Sequence, residues 1–325
     1  MNTSPLCWTL TPGPAAFRKQ TAGVAAALGL SFQEKKVICK KPWRWLPKQW
    51  TCGIFRHLQA DSDPLQPPWP DIIISSSQYA IPFALAIRKA NKGNTALIHI
   101  QKPTIPFNQF DAIVAPLHDH AKGDNVLHTL GATHDINEQT LAAAKEEFTP
   151  RFKPFKAPYF SIFIGGSSKN YTLTHEYTAQ LANTILEIAK NYPGTLLVSG
   201  SRRTGTENMT YLQRRFKGQS NIFMYNNIGK NPYMGMLALA EKIMITDDSV
   251  SMISEACFTG KPVYLLRLPE QQQRRKMAEF IHEAIQKNHV RYYENSLENW
   301  QVQRLDETQR IIPELKLLLR DKIVL

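Results

Sequence analysis

Short apolar runs alternate with helix-forming stretches along most of this chain, and that alternation constrains the fold more than any other feature. In the first half, strand-like Leu6–Thr11 is followed by the turn TPGPAAF and a helix over Arg18–Leu28. Asp71–Ile74, Ala96–Ile100 and Ala112–Ala115 read as further strands, and Phe83–Asn91 reads as a helix. The second half repeats the pattern. Strands are predicted at Tyr159–Ile164, Thr195–Ser199, Asn221–Tyr225, Ile243–Thr246 and Pro262–Leu266. Helices fall at Thr174–Tyr192, Met209–Phe216, Tyr233–Ala240, Asp248–Phe258, Met277–Lys287 and Glu307–Leu319. Near-continuous apolar strands separated by helices predict parallel sheets covered on both faces. A chain of 325 residues has room for two such domains. The stretch TPRFKPFKAP holds three prolines and lacks a periodic apolar face, so Phe148–Pro158 reads as the linker between domains 1–150 and 151–325.

Composition narrows the class. With 43% hydrophobic and 20% charged residues, the chain is ordinary for a globular protein. No run approaches the ~20 apolar residues of a membrane span. The opening MNTSPLCWTL has no basic n-region, so a secretory signal is not expected. The cysteines (Cys7, Cys39, Cys52, Cys257) form no CxxC pair, which argues against a zinc site or disulfide framework and points to a reducing cytosol.

The formal net charge is +12. Residues 35–60 concentrate it: Lys35, Lys36, Lys40, Lys41, Arg44, Lys48 and Arg56 occur there with no acid, interleaved with Trp43, Trp45 and Trp50. Basic side chains are drawn to anionic headgroups, and tryptophan favours the water–hydrocarbon interface. One reading is a contact with an anionic membrane surface through Lys40, Lys41, Trp43, Arg44 and Trp45. The other is a solvated basic loop with its tryptophans in the core. Nucleic acid is not favoured, because no binding motif accompanies the patch.

Three segments follow second-half strands, where doubly wound sheets place ligands. The loop Gly165-Gly166-Ser167-Ser168-Lys169 can bring backbone N–H groups to an anion, or serve as a tight turn. It is neither GxxxxGK[ST] nor GxGxxG. SGSRRTGTE offers Ser201 and two guanidinium forks, Arg202 and Arg203, to phosphate oxygens; the alternative is a solvated loop. In TDDSVSMISEACFTGKP, Asp248 or Ser249 can cap a helix, and Ser251 and Glu255 share a face. Glu255 could accept two ribose hydroxyls, or be a surface glutamate of an amphipathic helix. Asp247-Asp248 lacks Asp-x-Asp spacing, so no metal-dependent transferase and no cofactor are predicted. His118, Asp119 and His120 follow another strand; they could supply a general base or form a plain polar loop.

The segments IFIGGSSKNYTLT (162–174), LLVSGSRRTGTEN (196–208), NPYMGMLALAEKIMITDDSVSMISEACFTGKPVYLL (231–266), RLDET (304–308) and PLHDHAKGDNVLHTLGATHDI (116–136) together resemble one family. It is the mitochondrial-fission family named after a plant mutant with elongated mitochondria, in its bacterial form. Its bacterial members are described as glycosyltransferases. The resemblance implies two Rossmann-like domains of GT-B type facing across a cleft, with the last helix packing back on the first domain. The glycine loop and Ser-x-x-x-Glu helix are similar to those of the enzyme that adds N-acetylglucosamine to a lipid-linked muramyl precursor. Carried over by position, Gly165, Gly166, Ser167, Ser168, Ser201, Arg202 and Arg203 would face a donor diphosphate. Ser249, Ser251 and Glu255 would hold the nucleoside.

On the acceptor side, the family loop TDGRxGHxxQ reads TPGPAAFRKQ here, keeping Gly13 and Gln20 but placing Pro12 and Ala16-Phe17 at altered positions. The usual arginine pair after Ile74 is replaced by SSSQYA, which contains Ser77. The expected function is metal-independent transfer from a nucleotide-diphosphate sugar, with His118 or Asp119 as base, in the cytoplasm or at the inner membrane's periphery. The alternative is a non-catalytic membrane-associated adaptor on the same scaffold. A dehydrogenase or epimerase is a distant third, since the first βα turn lacks GxGxxG and no Tyr-x-x-x-Lys occurs in a fitting context.

Overall fold

The computed structural model describes residues 4–168, 172–268 and 275–323. Lys169, within the predicted glycine loop, lies outside the described residues. Two compact units are present: Met1–Asp135 with Asp306–Leu325, and Ile136–Leu305.

The first unit is built on six parallel strands, β1 (Cys7–Thr11), β2 (Phe32–Lys36), β3 (Ile72–Ser76), β4 (Ala96–Ile100), β5 (Ala112–Pro116) and β6 (Val126–Thr129), in the order β2-β1-β3-β4-β5-β6. Strands β1, β3 and β4 are buried along their whole length, as a sheet covered on both faces requires. Helices α1 (Ala15–Ala27) and α2 (Ile81–Ala90) supply Val24 and Phe83 to the two resulting core clusters. Strand β2 is FQEKK, polar and half-exposed at the sheet edge. Its composition hides it from a reading that looks for apolar runs.

The second sheet contains β7 (Tyr159–Ile164), β8 (Thr195–Gly200), β9 (Ile222–Met224), β10 (Lys242–Thr246), β11 (Val263–Leu266) and β12 (Arg291–Tyr292). Its order is β12-β11-β10-β7-β8-β9, again all parallel. The order runs outward in both directions from the β7–β10 pair, which makes that pair the topological switch point.

Helix α3 (Glu138–Phe152) occupies the start of the expected linker. An Asn137/Thr140 capping box starts it, and Phe148 and Phe152, four apart, are buried. Pro150 lies in the last turn, where losing one N–H donor is outweighed by burial of the two rings. The change of unit falls at Asp135–Ile136 rather than near residue 150. The remaining helices of the second unit are α4 (His175–Asn191), α5 (Thr206–Phe216), α6 (Tyr233–Leu239), α7 (Val250–Phe258) and α8 (Arg275–Gln286). Among the described residues, no helix is long and apolar enough to cross a membrane.

The chain then returns to the first unit. The single helix expected at Glu307–Leu319 is divided at Ile311 into α9 (Glu307–Arg310) and α10 (Ile312–Leu319). Ile312, Leu315 and Leu319 join the cluster of Cys7, Ile72 and Ile74. Two quoted family segments meet here. The Glu307 carboxylate, 5% exposed, accepts the Leu130 N–H at 3.0 Å. The Thr308 hydroxyl accepts from the His134 N–H at 3.0 Å and donates to the His134 carbonyl at 3.1 Å. RLDET and TLGATHDI are therefore a structural clasp.

Inside this sheet His99 is fully buried, its Nδ1 2.9 Å from the Ser75 hydroxyl, and its Nε2 has no hydrogen-bond partner. Burial disfavours the imidazolium and lowers its pKa to about 3. The unfolded chain takes up this proton near pH 6.5 and the native one does not, so stability falls as pH drops from about 6.5 toward 3. We expect His99→Leu to flatten the stability–pH slope in that window by up to ~1.4 kcal/mol per pH unit in urea unfolding. An unchanged slope would rule His99 out as its source.

Candidate functional site at the switch point of the second sheet

Three loops leave the carboxyl ends of adjacent strands: Gly165–Ser168 from β7, Ser201–Thr204 from β8, and Asp247–Ser249 from β10. The structure brings them together through one buried carboxylate. Asp248 Oδ2 accepts the Gly166 N–H at 3.1 Å and pairs with Arg203 Nη2 at 2.8 Å. Its Oδ1 accepts the Thr246 hydroxyl at 2.6 Å. The Asp248 side chain is 4% exposed, so each contact acts where water competes little.

Both glycines are needed for close approach. A Cβ at Gly165 would overlap the Asp248 carboxylate, and a Cβ at Gly166 would overlap the backbone carbonyl of Arg203. The Gly165 N–H is bound by the Thr246 hydroxyl at 2.7 Å, and the Ser167 N–H by the Arg203 carbonyl at 2.9 Å. Thr204, 1% exposed, donates its hydroxyl to the Ile164 and Gly165 carbonyls and accepts from the Ser201 N–H at 2.9 Å.

The predicted donor residues thus separate into two groups. The N–H groups of Gly165, Gly166 and Ser167 and the guanidinium of Arg203 are engaged within the protein. This corrects the expectation that the glycine-loop amides point at a ligand. The Ser167 hydroxyl accepts the Leu173 N–H at 3.0 Å, and the Ser201 hydroxyl accepts the Arg203 N–H at 3.2 Å. Ser168 and Arg202 are exposed, and Ser249 and Ser251 are half-buried. All four lie at the same edge of the sheet, the Ser249 hydroxyl being taken up in capping α7.

Ser249, not Asp248, caps α7: its hydroxyl accepts the Met252 N–H at 3.4 Å. Glu255 is 4% exposed, which excludes a solvated surface glutamate. Sequence reading named Asp248 only as a cap and missed Thr204 and Thr246. The available signal was their place at, or within four residues of, the carboxyl end of a strand. The neighbouring Asp247 holds the β11 exit, accepting the Leu268 N–H at 3.0 Å. A cavity of about 220 Å³ lies beside that exit, lined by Tyr177, Leu181, Arg267 and Tyr293 among others.

The other predicted residues lie in the first unit. His118 and Asp119 form a turn after β5, and His120 follows in the left-handed region (φ 47°). Lys102 donates to the Asp119 carbonyl at 3.1 Å. Gly13 (φ 106°) and Ser77 (φ 76°) follow β1 and β3, the two strands flanking that sheet's own switch point. Ser77 is 6% exposed; Gln20, 7% exposed, lies 3.5 Å from the Ser76 hydroxyl. Gln20 packs inside the unit rather than facing solvent.

Comparison with known proteins fits this architecture. The family model described as mitochondrial fission ELM1 matches residues 15–317, and the chain belongs to that family. It is 27% identical over 265 residues to the mitochondrial fission protein ELM1 of Arabidopsis thaliana, covering 74% of this chain and 61% of the plant protein. It is 26% identical over 359 residues to the uncharacterized protein RP120 of Rickettsia prowazekii (strain Madrid E), covering 96% and 98%. Among solved structures, the UDP-GlcNAc 2-epimerase of Methanocaldococcus jannaschii, in complex with UDP-GlcNAc and UDP, superposes with a TM-score of 0.55 at 14% identity. That match covers 96% of this chain and 99% of the epimerase. The enzyme from Neisseria meningitidis bound to UDP-GlcNAc gives 0.50 at 18% identity, covering 97% and 91%. The fold is therefore the GT-B-like, two-sheet α/β fold of these epimerases.

Because a Gly166 side chain would meet backbone, Gly166→Ala should separate the first two loops. We expect a loss in urea unfolding about 1–3 kcal/mol larger than that of Gly218→Ala, where the left-handed backbone (φ 86°) strains any side chain but a Cβ meets nothing. Equal effects would show that the close approach does not matter.

Proposed function

We propose that the chain is a metal-independent glycosyltransferase whose second unit binds a nucleotide-diphosphate sugar at the β7–β10 switch point. The observation that carries this reading is the convergence there of the glycine, arginine and Ser-x-x-x-Glu segments, joined by Asp248. Arg202 and Ser168 meet the diphosphate, with Ser249 and Ser251 at the amino end of α7. Glu255 receives the ribose hydroxyls. The engaged groups, Gly165, Gly166, Ser167, Ser201 and Arg203, keep the cradle in shape before ligand arrives, so little ordering is left for the binding step.

In the transfer step the acceptor hydroxyl oxygen bonds to the anomeric carbon as the bond to the diphosphate oxygen breaks. The acceptor proton passes to a general base, for which His118 and Asp119 are the candidates, and the nucleoside diphosphate leaves carrying the electron pair. Arg202 supplies positive charge where the leaving diphosphate gains negative charge.

The solved relatives bound to UDP and UDP-GlcNAc make uridine nucleotides the first probes. Because both are epimerases, product analysis with UDP-GlcNAc should look for an epimerised sugar as well as a transferred one. Isothermal titration should show saturable binding of a uridine diphosphate. Exposed Arg202→Ala should weaken it roughly 10- to 100-fold, the range of one charged hydrogen bond. Glu255→Gln should weaken it further without unfolding. No binding of any nucleoside diphosphate, or unchanged affinity in both variants, would remove the proposal.

A further inference from the structure

We propose that residues 40–56 of the first unit are a docking surface for an anionic lipid bilayer, distinct from the nucleotide cradle and independent of it. Trp45 and Trp50 are 71% and 58% exposed. Exposed tryptophans of this degree on a loose tail would mean little; these sit on a braced platform. Trp43 stacks on His57 at 3.8 Å and packs against the core, so one of the three indoles follows the buried reading and two do not. The Lys40 N–H binds the His57 carbonyl at 2.8 Å, and the Trp45 N–H binds the Pro42 carbonyl at 2.9 Å. Lys48 Nζ donates to the Arg44 carbonyl at 2.5 Å. Beneath, Ile54 is 3% exposed and Phe55 stacks on Trp69.

Around the two indoles, Lys40, Lys41 and Arg56 are exposed, and Arg44 and Lys48 are half-buried. Residues 35–60 contain no acid. Among the described residues these five bases form no ion pair, and interfacial tryptophan ringed by such bases matches a surface that is apolar just below a negatively charged layer. A polyanion without an apolar layer would use the bases and leave the tryptophans idle. The platform also has a defined place in the fold. The Arg44 guanidinium lies 4.2 Å from the Tyr79 ring centroid and Lys48 Nζ lies 5.3 Å from it, and Tyr79 follows the carboxyl end of β3. Docking would bring this carboxyl edge, with its Gly13 and Ser77 loops, to the bilayer. An acceptor carried on a lipid would then meet the unit at the edge where ligands bind in such sheets.

The test is co-sedimentation of the full chain with vesicles of phosphatidylcholine, alone or with about one third phosphatidylglycerol, at low and high salt. Binding is expected only to the anionic vesicles, with weakening at high salt. Lys40→Ala with Lys41→Ala should lower the partition coefficient about 30-fold, at roughly fivefold per base. Trp45→Ala with Trp50→Ala should lower it at least about tenfold and abolish the blue shift of tryptophan emission on binding. Arg202→Ala should bind vesicles like the unaltered protein, which separates this surface from the nucleotide site. Circular dichroism on each variant checks that the fold is intact. Three results would overturn the inference: no retention on anionic vesicles at low salt; full retention after loss of both tryptophans; or tighter binding to a short RNA or DNA duplex than to the vesicles.

Discussion

The carboxylate of Asp248 holds the site of the second unit together. One oxygen engages the Gly166 amide and the Arg203 guanidinium, and the other receives the Thr246 hydroxyl. A buried carboxylate is costly unless its charge and lone pairs are matched, and here the matching groups come from the other two loops and from the last residue of β10. Losing any one loop position leaves a buried charge partly unmet. The glycines follow from the same constraint: side chains at Gly165 and Gly166 would collide with the carboxylate and with the loop it pairs with. The topology supplies the meeting place, since β7 and β10 are neighbours from which the strand order departs in opposite directions.

Much of this was legible in the sequence, for physical reasons. Fully buried parallel strands are apolar throughout, so β1, β3, β4, β7, β8 and β10 show as runs. Strands at sheet margins need not be: β2 is FQEKK, β6 is VLHT and β12 is two residues long. Helix α3 was hidden by Pro150, whose weight as a breaker is reduced at a last turn anchored by Phe148 and Phe152. The GT-B-type fold and family membership were readable from the motif segments, and the matched family model extends over nearly the whole chain.

The candidate site was legible as a set of positions and less so as a set of roles. Sequence places Gly166, Arg203 and Glu255 after strands but cannot tell which polar groups are spent on one another. Only coordinates show that Arg203 is paired while Arg202 is exposed, or that Asp248 braces the loops while Ser249 caps α7. Likewise, RLDET is one of the segments that carry the family resemblance, and its Glu307 and Thr308 tie the returning chain to the backbone of Leu130 and His134. A conspicuous polar motif can serve the fold, because buried backbone groups need partners as much as ligands do.

The central claim is that the three braced loops form a cradle for a nucleoside diphosphate. A crystal structure of the full chain soaked with uridine diphosphate tests it most directly. The account predicts the diphosphate against Ser168, Arg202 and the amino end of α7, with the ribose directed to Glu255. A nucleotide seated elsewhere, touching none of those residues, would contradict it.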